Sequence, residues 1–337
     1  MRTVREMIGF VSEGGTMDAA ASEELFDSVF GGGVGEIELS ALLAAMRVRS
    51  ETPEEILGAA RSMRKFATRL DVKGSSHIDT CGTGGDNSQS FNISTAVALV
   101  LASLGIGVTK HGNRSVSSKS GSADFLEELG LPIDLTGAGA AQYYDRHGFV
   151  FMFAPKYHPA MRHAAPVRKA LGIRTIFNFL GPITNPSFPA RQMIGVFHPD
   201  FLPVYSQVVA GLGYERALLY SAEGGMDEVS PVRHTMVYEV VDERVRFYAI
   251  HPEKHISAKE AASIPRGLSA RENAALFMDT VRSPRPTALG KLLAMNAALA
   301  LYLSSDGDNL NADFGAHYKK ALDALHGGEV CRKVTAM

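Results

Sequence analysis

The segment from residue 77 to residue 95 constrains the fold more than any other part of the sequence. Residues 77–81 read as a strand, GTGGD follows at 82–86, and FNIST at 91–95 opens a helix. Glycines let backbone amides approach an anion, and a helix amino terminus adds unpaired donors and partial positive charge. The segment therefore predicts an anion-binding cradle in an α/β fold. An ordinary tight strand-to-helix turn is the alternative, since the spacing fits neither a Walker A nor a GxGxxG motif.

The remaining patterns predict an α/β protein with a small all-helical domain at residues 1–72 and a larger α/β domain at 73–337. Apolar residues at three- and four-residue spacing predict the first helices, and alternation of strands with helices predicts a mainly parallel central sheet. Two alternating runs around Asp242 predict an added antiparallel hairpin. The predicted helices cover 4–11, 19–30, 36–48, 53–70, 95–104, 287–303 and 314–325. The predicted strands cover 75–81, 106–109, 149–154, 192–197, 217–221 and the hairpin 235–250.

Charge is distributed unevenly along a nearly neutral chain. The net charge of −2 removes the usual electrostatic case for a partner that is nucleic acid or a membrane surface. Residues 87–123 and 146–199 contain no Asp or Glu, yet they carry ten cations. If these two windows meet, they form a positive cleft for a small anionic substrate. Chance clustering on solvated helix faces is the alternative. The ten cations are Lys110, Arg114, Lys119, Arg146, Lys156, Arg162, Arg168, Lys169, Arg174 and Arg191.

The sequence predicts a cytoplasmic protein, because neither a secretory signal nor a membrane span is recognisable in it. The amino-terminal residues become charged and polar before an apolar core of secretory length develops, and the longest apolar run, 95–108, is shorter than the roughly 20 residues that span a bilayer. Cys81 and Cys331 lie far apart without metal-ligand spacing, as expected of a protein in a reducing compartment.

Three polar motifs outside the glycine loop suggest chemistry. KHGNR at 110–114 follows a predicted strand, where open α/β sheets bind ligands, although a cationic loop is often solvated surface. Asp227 and Glu228 follow another strand and are suited to Mg²⁺, or to capping a helix. Arg168 is suited to binding a carboxylate bidentately, or it is a surface arginine. Cys81 reads as a packed residue, and His158 and His163 lack a zinc-protease spacing.

In these motifs the sequence resembles the anthranilate phosphoribosyltransferases. The resemblance runs over nearly the whole chain, and several long motifs occur in order. It implies a homodimer whose chains each have a helical domain, with a returning segment near 166–186, and a domain that binds the phosphoribosyl donor. The densest motifs are DTCGTGGDNSQSFNIST at 79–95, KHGNRSVSSKSGSADFLEELG at 110–130, HPAMRHAAPVRKALGIRTIFNFLGPITNP at 158–186 and GMDEVS at 225–230.

The resemblance also implies a reaction and its residues. Ribose 5-phosphate would pass from phosphoribosyl pyrophosphate to the amine of anthranilate, with Mg²⁺ as cofactor, in tryptophan biosynthesis. Lys110, Asn113 and Arg168 are the implied catalytic residues. The donor would contact Gly82, Gly85, Asp86, Ser90, Asn92, Ile93, Ser94, Thr95, Lys110, Ser118 and Ser122. Anthranilate would contact Gly82, His111, Asn113, Arg168, Gly181 and Pro182. The metal would be held by Ser94, Asp227 and Glu228.

Two other functions compete with this one. A pyrimidine nucleoside phosphorylase would also need glycine loops and a basic anion site, but the acidic pair and the Arg168 segment fit a pyrophosphorylated donor and a carboxylated acceptor better. A non-catalytic relative that binds nucleic acid would need a large basic surface with stacking aromatics. The sequence does not determine whether an amidotransferase subunit associates with the chain.

Overall fold

The structure, a computed structural model, describes residues 3–74, 77–86, 88–115 and 119–337. Within these residues an amino-terminal group of helices packs beside a seven-stranded sheet that has helices on both faces. In this described part of the chain, no helix combines the length and the apolar character needed to cross a bilayer. The predicted fold class, a helical part followed by an α/β part, is confirmed.

Sixteen α-helices lie in the described residues. They are α1 Val4–Ser12, α2 Ala19–Phe30, α3 Glu36–Arg49, α4 Pro53–Lys65, α5 Ile93–Ser103, α6 Ser122–Glu128, α7 Gly137–His147, α8 Ala154–Tyr157, α9 Ala165–Leu171, α10 Phe177–Leu180, α11 Leu202–Gly211, α12 Ala258–Ala262, α13 Ala270–Arg282, α14 Ala288–Ser304, α15 Leu310–His326 and α16 Glu329–Thr335. Short 3₁₀ turns occur at Pro159–His163, Gly181–Ile183, Pro199–Phe201 and Pro252–Lys254.

The fourth helix begins where its capping sequence predicts and ends earlier than its apolar spacing predicts. Thr52 accepts a hydrogen bond from the amide of Glu55, whose carboxylate accepts one from the amide of Thr52. The helix stops at Lys65 rather than at residue 70. The amide of Thr68 donates instead to the carbonyl of Tyr157, so these residues already belong to the connection with the α/β part.

The helical part is completed by segments from the middle of the chain. Phe177 of α10 packs edge-on against Phe26 and Phe30 of α2, with ring centroids 5.9 and 6.2 Å apart. Val167 of α9 is buried in the same cluster, and α9 packs against α3. Helices α9 and α10, and Arg168 on α9, therefore lie where the helical part meets the sheet.

The sheet has the order β3-β2-β1-β4-β5-β6-β7, with five parallel strands and an antiparallel pair at one edge. Asp242 and Glu243 both have positive φ, as a two-residue type I′ hairpin turn requires. Where the residues are described, strand bounds differ from the predicted ones by a few residues, and residues 75 and 76 of the first predicted strand lie outside the described residues. The strands are β1 Ile78–Gly82, β2 Val108–Gly112, β3 Phe149–Phe153, β4 Arg191–Gly195, β5 Arg216–Ala222, β6 Thr235–Val241 and β7 Arg244–Ile250.

Alternation along the strands divides the apolar side chains between two cores. Met193 and Leu218 face the core built on α5, α13 and α14, whereas Ile194 and Leu219 face the core shared with the helical part. Burial on both faces is typical of a mainly parallel sheet. The polar loops that matter for function are therefore confined to the strand ends.

Candidate active site

The candidate site lies where the strand order reverses. From β1 the chain proceeds through β2 to β3 on one side, and later continues from β4 to β5 on the other side. In open α/β sheets, ligands bind outside the carboxyl ends of the strands at this point. Gly82 and Gly195 end β1 and β4 and are paired in register there. The crevice above them is the place where the predicted loops should meet.

Two glycines allow Asp227 to enter this crevice. A Cβ atom at Gly82 would collide with the carboxylate of Asp227, and one at Gly195 would collide with its carbonyl. Asp227 Oδ2 accepts a hydrogen bond of 2.7 Å from the amide of Gly84, which lies 143 positions earlier in the chain. The amide of Asp227 in turn donates to Asp86 Oδ2 at 3.4 Å. The glycine loop and the acidic pair thus form one unit, and Gly195 is a site residue that the sequence analysis missed.

Glu228, Ser94 and Lys110 meet beside this unit. Glu228 Oε1 accepts a 3.0 Å hydrogen bond from the amide of Ser94 at the start of α5. Lys110 is only 1% exposed, and its Nζ donates to the carbonyl of Thr80 and, at 3.3 Å, to Ser94 Oγ. One buried ammonium group on β2 therefore lies beside a carbonyl and a hydroxyl, and its charge interacts with Glu228.

Burial and mutual repulsion disfavour the charged forms of the acidic groups at the site. Burial raises the pKa of the Asp227 carboxyl, and the neighbouring Asp86 raises it further. Burial also raises the pKa of Glu228, with Asp227 as the next contributor. Such a set of oxygen donors suits a hard divalent cation, which favours carboxylates and hydroxyls. The residues predicted to hold Mg²⁺, namely Ser94, Asp227 and Glu228, fit that ion.

The amino terminus of α5 retains donors for an anion. Asn92 does not cap the helix, because its side-chain amide pairs with Ser120, donating to the carbonyl at 3.2 Å and accepting from Oγ at 2.7 Å. Thr95 Oγ1 is buried and has no hydrogen-bond partner in the described part of the chain. Ser90, whose amide donates to Ser88 Oγ at 3.2 Å, lies in the loop that precedes the helix.

The loop after β2 contributes fewer groups than the sequence predicts. Arg114 forms ion pairs with Asp124 at 2.7 Å and Glu127 at 2.8 Å, so its charge is already compensated. Ser122 begins α6, and a Cβ atom at Gly112 would lie 3.1 Å from its side chain, which places Ser122 at the end of β2. The predicted donor ligand Ser118 lies outside the described residues.

His111 and the Gly181–Pro182 turn adjoin the site and share a buried polar network. His111 Nδ1 lies 3.2 Å from the carbonyl oxygen of Gly181, and its amide donates to Asp79 Oδ1 at 3.3 Å. Gln192 Nε2 donates to Asp79 Oδ2 at 3.2 Å and to the carbonyl of Pro182 at 3.0 Å. Asp79 and Gln192 therefore position predicted anthranilate contacts, a role that the sequence analysis did not assign to them.

The imidazole of His111 is uncharged. Burial lowers its pKa, and burial lowers the pKa of His158, whose ring centroid lies 5.0 Å away, to about 3. At neutral pH neither ring adds positive charge to this side of the site. A carboxylate bound here would need another cation.

Arg168, on α9, is the cation that the sequence predicts for this role. Its guanidinium lies 5.4 Å from the ring centroid of Phe177, and it pairs with no carboxylate among the described residues. No contact in that part of the chain joins Arg168 to Lys110 or Asn113. Asn113 is exposed, and its Oδ1 accepts a 2.8 Å hydrogen bond from the amide of Arg114.

The acid-free windows converge only in part. Arg174 donates from Nη2 to the carbonyl of Gly85 and stacks over the ring of Phe197 at 3.7 Å, so it joins the glycine loop. Arg191 begins β4, at the opposite end of that strand from the site. The condition that the two windows meet is therefore fulfilled for Arg174, which reaches the glycine loop, but not for Arg191, which the direction of β4 places at the other end of that strand.

Comparison with known proteins identifies relatives over both parts of the chain. A family model described as glycosyl transferase family, a/b domain, matches residues 74–331, and one described as glycosyl transferase family, helical bundle domain, matches residues 5–67. The anthranilate phosphoribosyltransferase of Desulforamulus reducens is 42% identical over 298 residues, covering 88% of this chain and 86% of that protein. That of Xanthomonas axonopodis pv. citri is 44% identical over 288 residues, covering 85% and 83%.

A solved structure agrees with these matches. The crystal structure of anthranilate phosphoribosyltransferase from Thermus thermophilus superimposes with a TM-score of 0.87 at 34% sequence identity. The superposition covers 98% of this chain and 97% of that chain.

Proposed function

This chain belongs to the anthranilate phosphoribosyltransferase family, and on that premise we propose that it transfers the 5-phosphoribosyl group from phosphoribosyl pyrophosphate to the amine of anthranilate, releasing pyrophosphate. The product is N-(5-phosphoribosyl)anthranilate, an intermediate of tryptophan biosynthesis. One observation supports this most strongly: the glycine loop, the start of α5, buried Lys110 and the acidic pair meet at the switch point of the sheet.

The donor's diphosphate would lie against backbone amides. The glycine loop and the first turn of α5 meet at one crevice, where the amides of Gly84 and Ser94 bind the two carboxylates and the neighbouring amides would bind the diphosphate. Lys110 adds the charge of a buried ammonium group. Arg174 would hold the loop from behind through the carbonyl of Gly85. The proposed donor contacts in the described residues are Gly82, Gly85, Asp86, Ser90, Asn92, Ile93, Ser94, Thr95, Lys110 and Ser122.

We expect Mg²⁺ to be held by Ser94, Asp227 and Glu228. When bound, the ion would neutralise the charge that develops on the departing pyrophosphate. Asp227 is fixed by the amide of Gly84 and Glu228 by the amide of Ser94, so both carboxylates have defined positions. Breaking the anomeric C–O bond leaves an oxocarbenium-like ribose and moves an electron pair onto the diphosphate oxygen. Lys110 would stabilise that oxygen electrostatically as the bond breaks.

The acceptor side requires positioning more than proton transfer. The amine of anthranilate is already neutral and nucleophilic, and it releases one proton to solvent after the new C–N bond forms. Arg168 would bind the carboxylate, while Asn113, His111 and the Gly181–Pro182 turn would shape the place of the ring. The two neutral imidazoles leave Arg168 as the charge that selects an acid over an amide.

Replacing Arg168 with alanine is expected to raise the KM for anthranilate by roughly 10- to 100-fold, the scale of losing hydrogen bonds to a charged group. The KM for the phosphoribosyl donor should stay unchanged, because among the described residues no hydrogen bond or ion pair joins Arg168 to the glycine loop. Steady-state kinetics with each substrate varied separately measures both values. Lys169→Ala, an exposed neighbour on α9, is the matched control. Equal increases for both substrates would contradict the assignment.

The reaction itself is tested by following the fluorescence of anthranilate with and without phosphoribosyl pyrophosphate and Mg²⁺. Loss of fluorescence only when both are present is the expected result. Phosphate-dependent cleavage of thymidine, without any consumption of anthranilate, would favour the pyrimidine nucleoside phosphorylase instead.

We also propose that the chain forms a homodimer through α3. Ile37 and Val48 are 87% and 88% exposed, and Ala41 and Ala44 lie between them at helical spacing. These four residues form an apolar stripe on the side of α3 opposite its buried residues. Such a stripe is typical of a surface that a second protein covers.

The double substitution Ile37→Asp and Val48→Asp is therefore expected to yield a monomer. Two carboxylates in an apolar contact would lose hydration without gaining a partner. Sedimentation velocity of the parent and variant at equal concentration measures the change. Phe247→Asp, an exposed apolar residue on β7, should leave the assembly unchanged. A parent that sediments as a monomer would reject the proposal.

The compartment that we propose is the cytoplasm. Both Cys81 and Cys331 are free thiols, as proteins of a reducing compartment usually have. Burial raises the pKa of the Cys81 thiol, so it remains protonated and packed rather than acting as a nucleophile.

A further inference from the structure

A second group of metal-binding side chains lies at the open end of the β6–β7 hairpin. His234 directly precedes β6 and His251 directly follows β7, and the adjacent residues Thr235 and Ile250 are paired in register. Glu253 lies two residues beyond His251. One ligand atom from each of His234, His251 and Glu253 lies within 4.8 Å of the others.

The distances are close to those that a small transition-metal ion imposes. Glu253 Oε1 lies 3.7 Å from His234 Nε2 and 3.5 Å from His251 Nδ1. Tetrahedral zinc with ligand bonds of about 2.0–2.2 Å separates neighbouring ligand atoms by roughly 3.4 Å. All three side chains are partly exposed, so small rotations suffice to reach this geometry. Solvent would fill the remaining position.

The site also has an outer carboxylate. Glu223 Oε1 lies 3.8 Å from His234 Nδ1, on the other ring nitrogen from the one that faces Glu253. The amide of Glu223 donates to the carbonyl of His234 at 3.0 Å, which fixes the two residues together. A carboxylate that orients a histidine in this way is a regular feature of metal sites, because it sets the tautomer and the ring direction.

We propose that His234, His251 and Glu253 bind a divalent transition-metal ion of the zinc class, with Glu223 as an outer positioning residue. Two imidazoles and one carboxylate favour zinc, cobalt or nickel, whereas the oxygen ligands near Asp227 favour magnesium. The two sites therefore select different ions by ligand chemistry.

The ion would connect the two ends of the hairpin beside the loop that carries Asp227 and Glu228. Residues 223–234 leave β5 and return to β6, and the amide of Ala222 donates to the carbonyl of Met226 at 2.9 Å just before Asp227. An ion held by His234, His251 and Glu253 joins the end of this loop to the end of β7. This consequence for Asp227 rests on the proposed function, whereas the binding site itself does not.

Calorimetric titration of the untagged, chelator-treated chain with Zn²⁺, in buffer that contains excess Mg²⁺, tests the proposal. One ion per chain is expected, and Co²⁺ should give the visible absorption of a four-coordinate site. The double variant His234→Gln and His251→Gln should lose both signals. Glu223→Gln should weaken binding by roughly 10-fold or more, as loss of an outer partner does. His317→Gln, a histidine on α15 outside the group, should bind as the parent does.

Binding by the double variant with the parent's stoichiometry would overturn the proposal, as would a parent that binds no Zn²⁺. Unfolding of the metal-free variants, followed by circular dichroism, establishes that they remain folded. If the double variant does not fold, the weakening in Glu223→Gln and its altered Co²⁺ spectrum decide the matter. None of these readouts uses turnover, so their failure is distinguishable from failure of the transferase reaction.

Discussion

Exchange of Asp227 for Asn together with Glu228 for Gln is expected to lower kcat by at least about 10²- to 10³-fold, the effect of losing one electrostatic stabiliser of a transition state. The side chains of Asn and Gln keep the size of Asp and Glu. Each still offers an oxygen to the backbone N–H group of Gly84 or Ser94. They remove the negative charge that would hold Mg²⁺ beside the pyrophosphate. Initial rates at saturating substrates across a range of Mg²⁺ concentrations measure the effect.

The fold of this double variant should be preserved. In the parent, two carboxylates are buried next to each other near a third, Asp86, and the variant removes the cost of burying these like charges together, which offsets the lost attraction between Glu228 and Lys110. We therefore expect a melting temperature at least equal to that of the metal-free parent. Asp242→Asn, at the exposed hairpin turn, is the matched change of carboxylate to amide. A variant with the parent's dependence on Mg²⁺ would refute the metal assignment.

Substitution of Lys110 by methionine is expected to lower kcat by about 10²-fold or more, again on the scale of one electrostatic stabiliser. Methionine fills a similar space but brings no charge to the crevice. Lys110 is buried and adjoins Ser94, so its ammonium group cannot be replaced by a mobile side chain from the surface. The KM for the phosphoribosyl donor should rise as well, whereas the KM for anthranilate should not. Pre-steady-state measurement of the first turnover separates bond breaking from product release.

Lys319→Met, on the exposed side of α15, is the control for the change of lysine to methionine. Circular dichroism of the Lys110 variant shows whether the loss of the hydrogen bond to the Thr80 carbonyl disturbs the sheet. A folded variant with the parent's kcat would mean that Lys110 only fills the interior and does not stabilise the leaving group.

Parts of the fold that depend on neighbouring residues could be predicted from the sequence. The start of α4 follows from Thr52, Pro53 and Glu55 alone, because a capping box forms within one turn. The hairpin turn at Asp242 follows from the alternation on either side of it. The end of α4 could not be predicted, because Thr68 is drawn out of the helix by the carbonyl of Tyr157, which is distant in sequence.

The candidate site divides in the same way. The glycine loop and the acidic pair could be identified as separate motifs, but nothing in either motif indicates that Asp227 packs between Gly82 and Gly195. Arg191 lies in an acid-free stretch that would contribute to a positive cleft if the two windows met, and the direction of β4 places it at the end of that strand opposite the site. Strand order, rather than spacing, decides which of these charges share a crevice.

Sequence alone determined the class of fold, the likeness to a transferase family and the residue types available for chemistry, since periodicity, capping and turn preferences act over a few residues. Only the tertiary structure decided that the amide of Gly84 binds Asp227 and that Gln192 and Asp79 support the turn at Gly181. Each of these contacts joins residues whose separation along the chain carries no local signal. Their proximity arises from strand register and from close packing of the two cores.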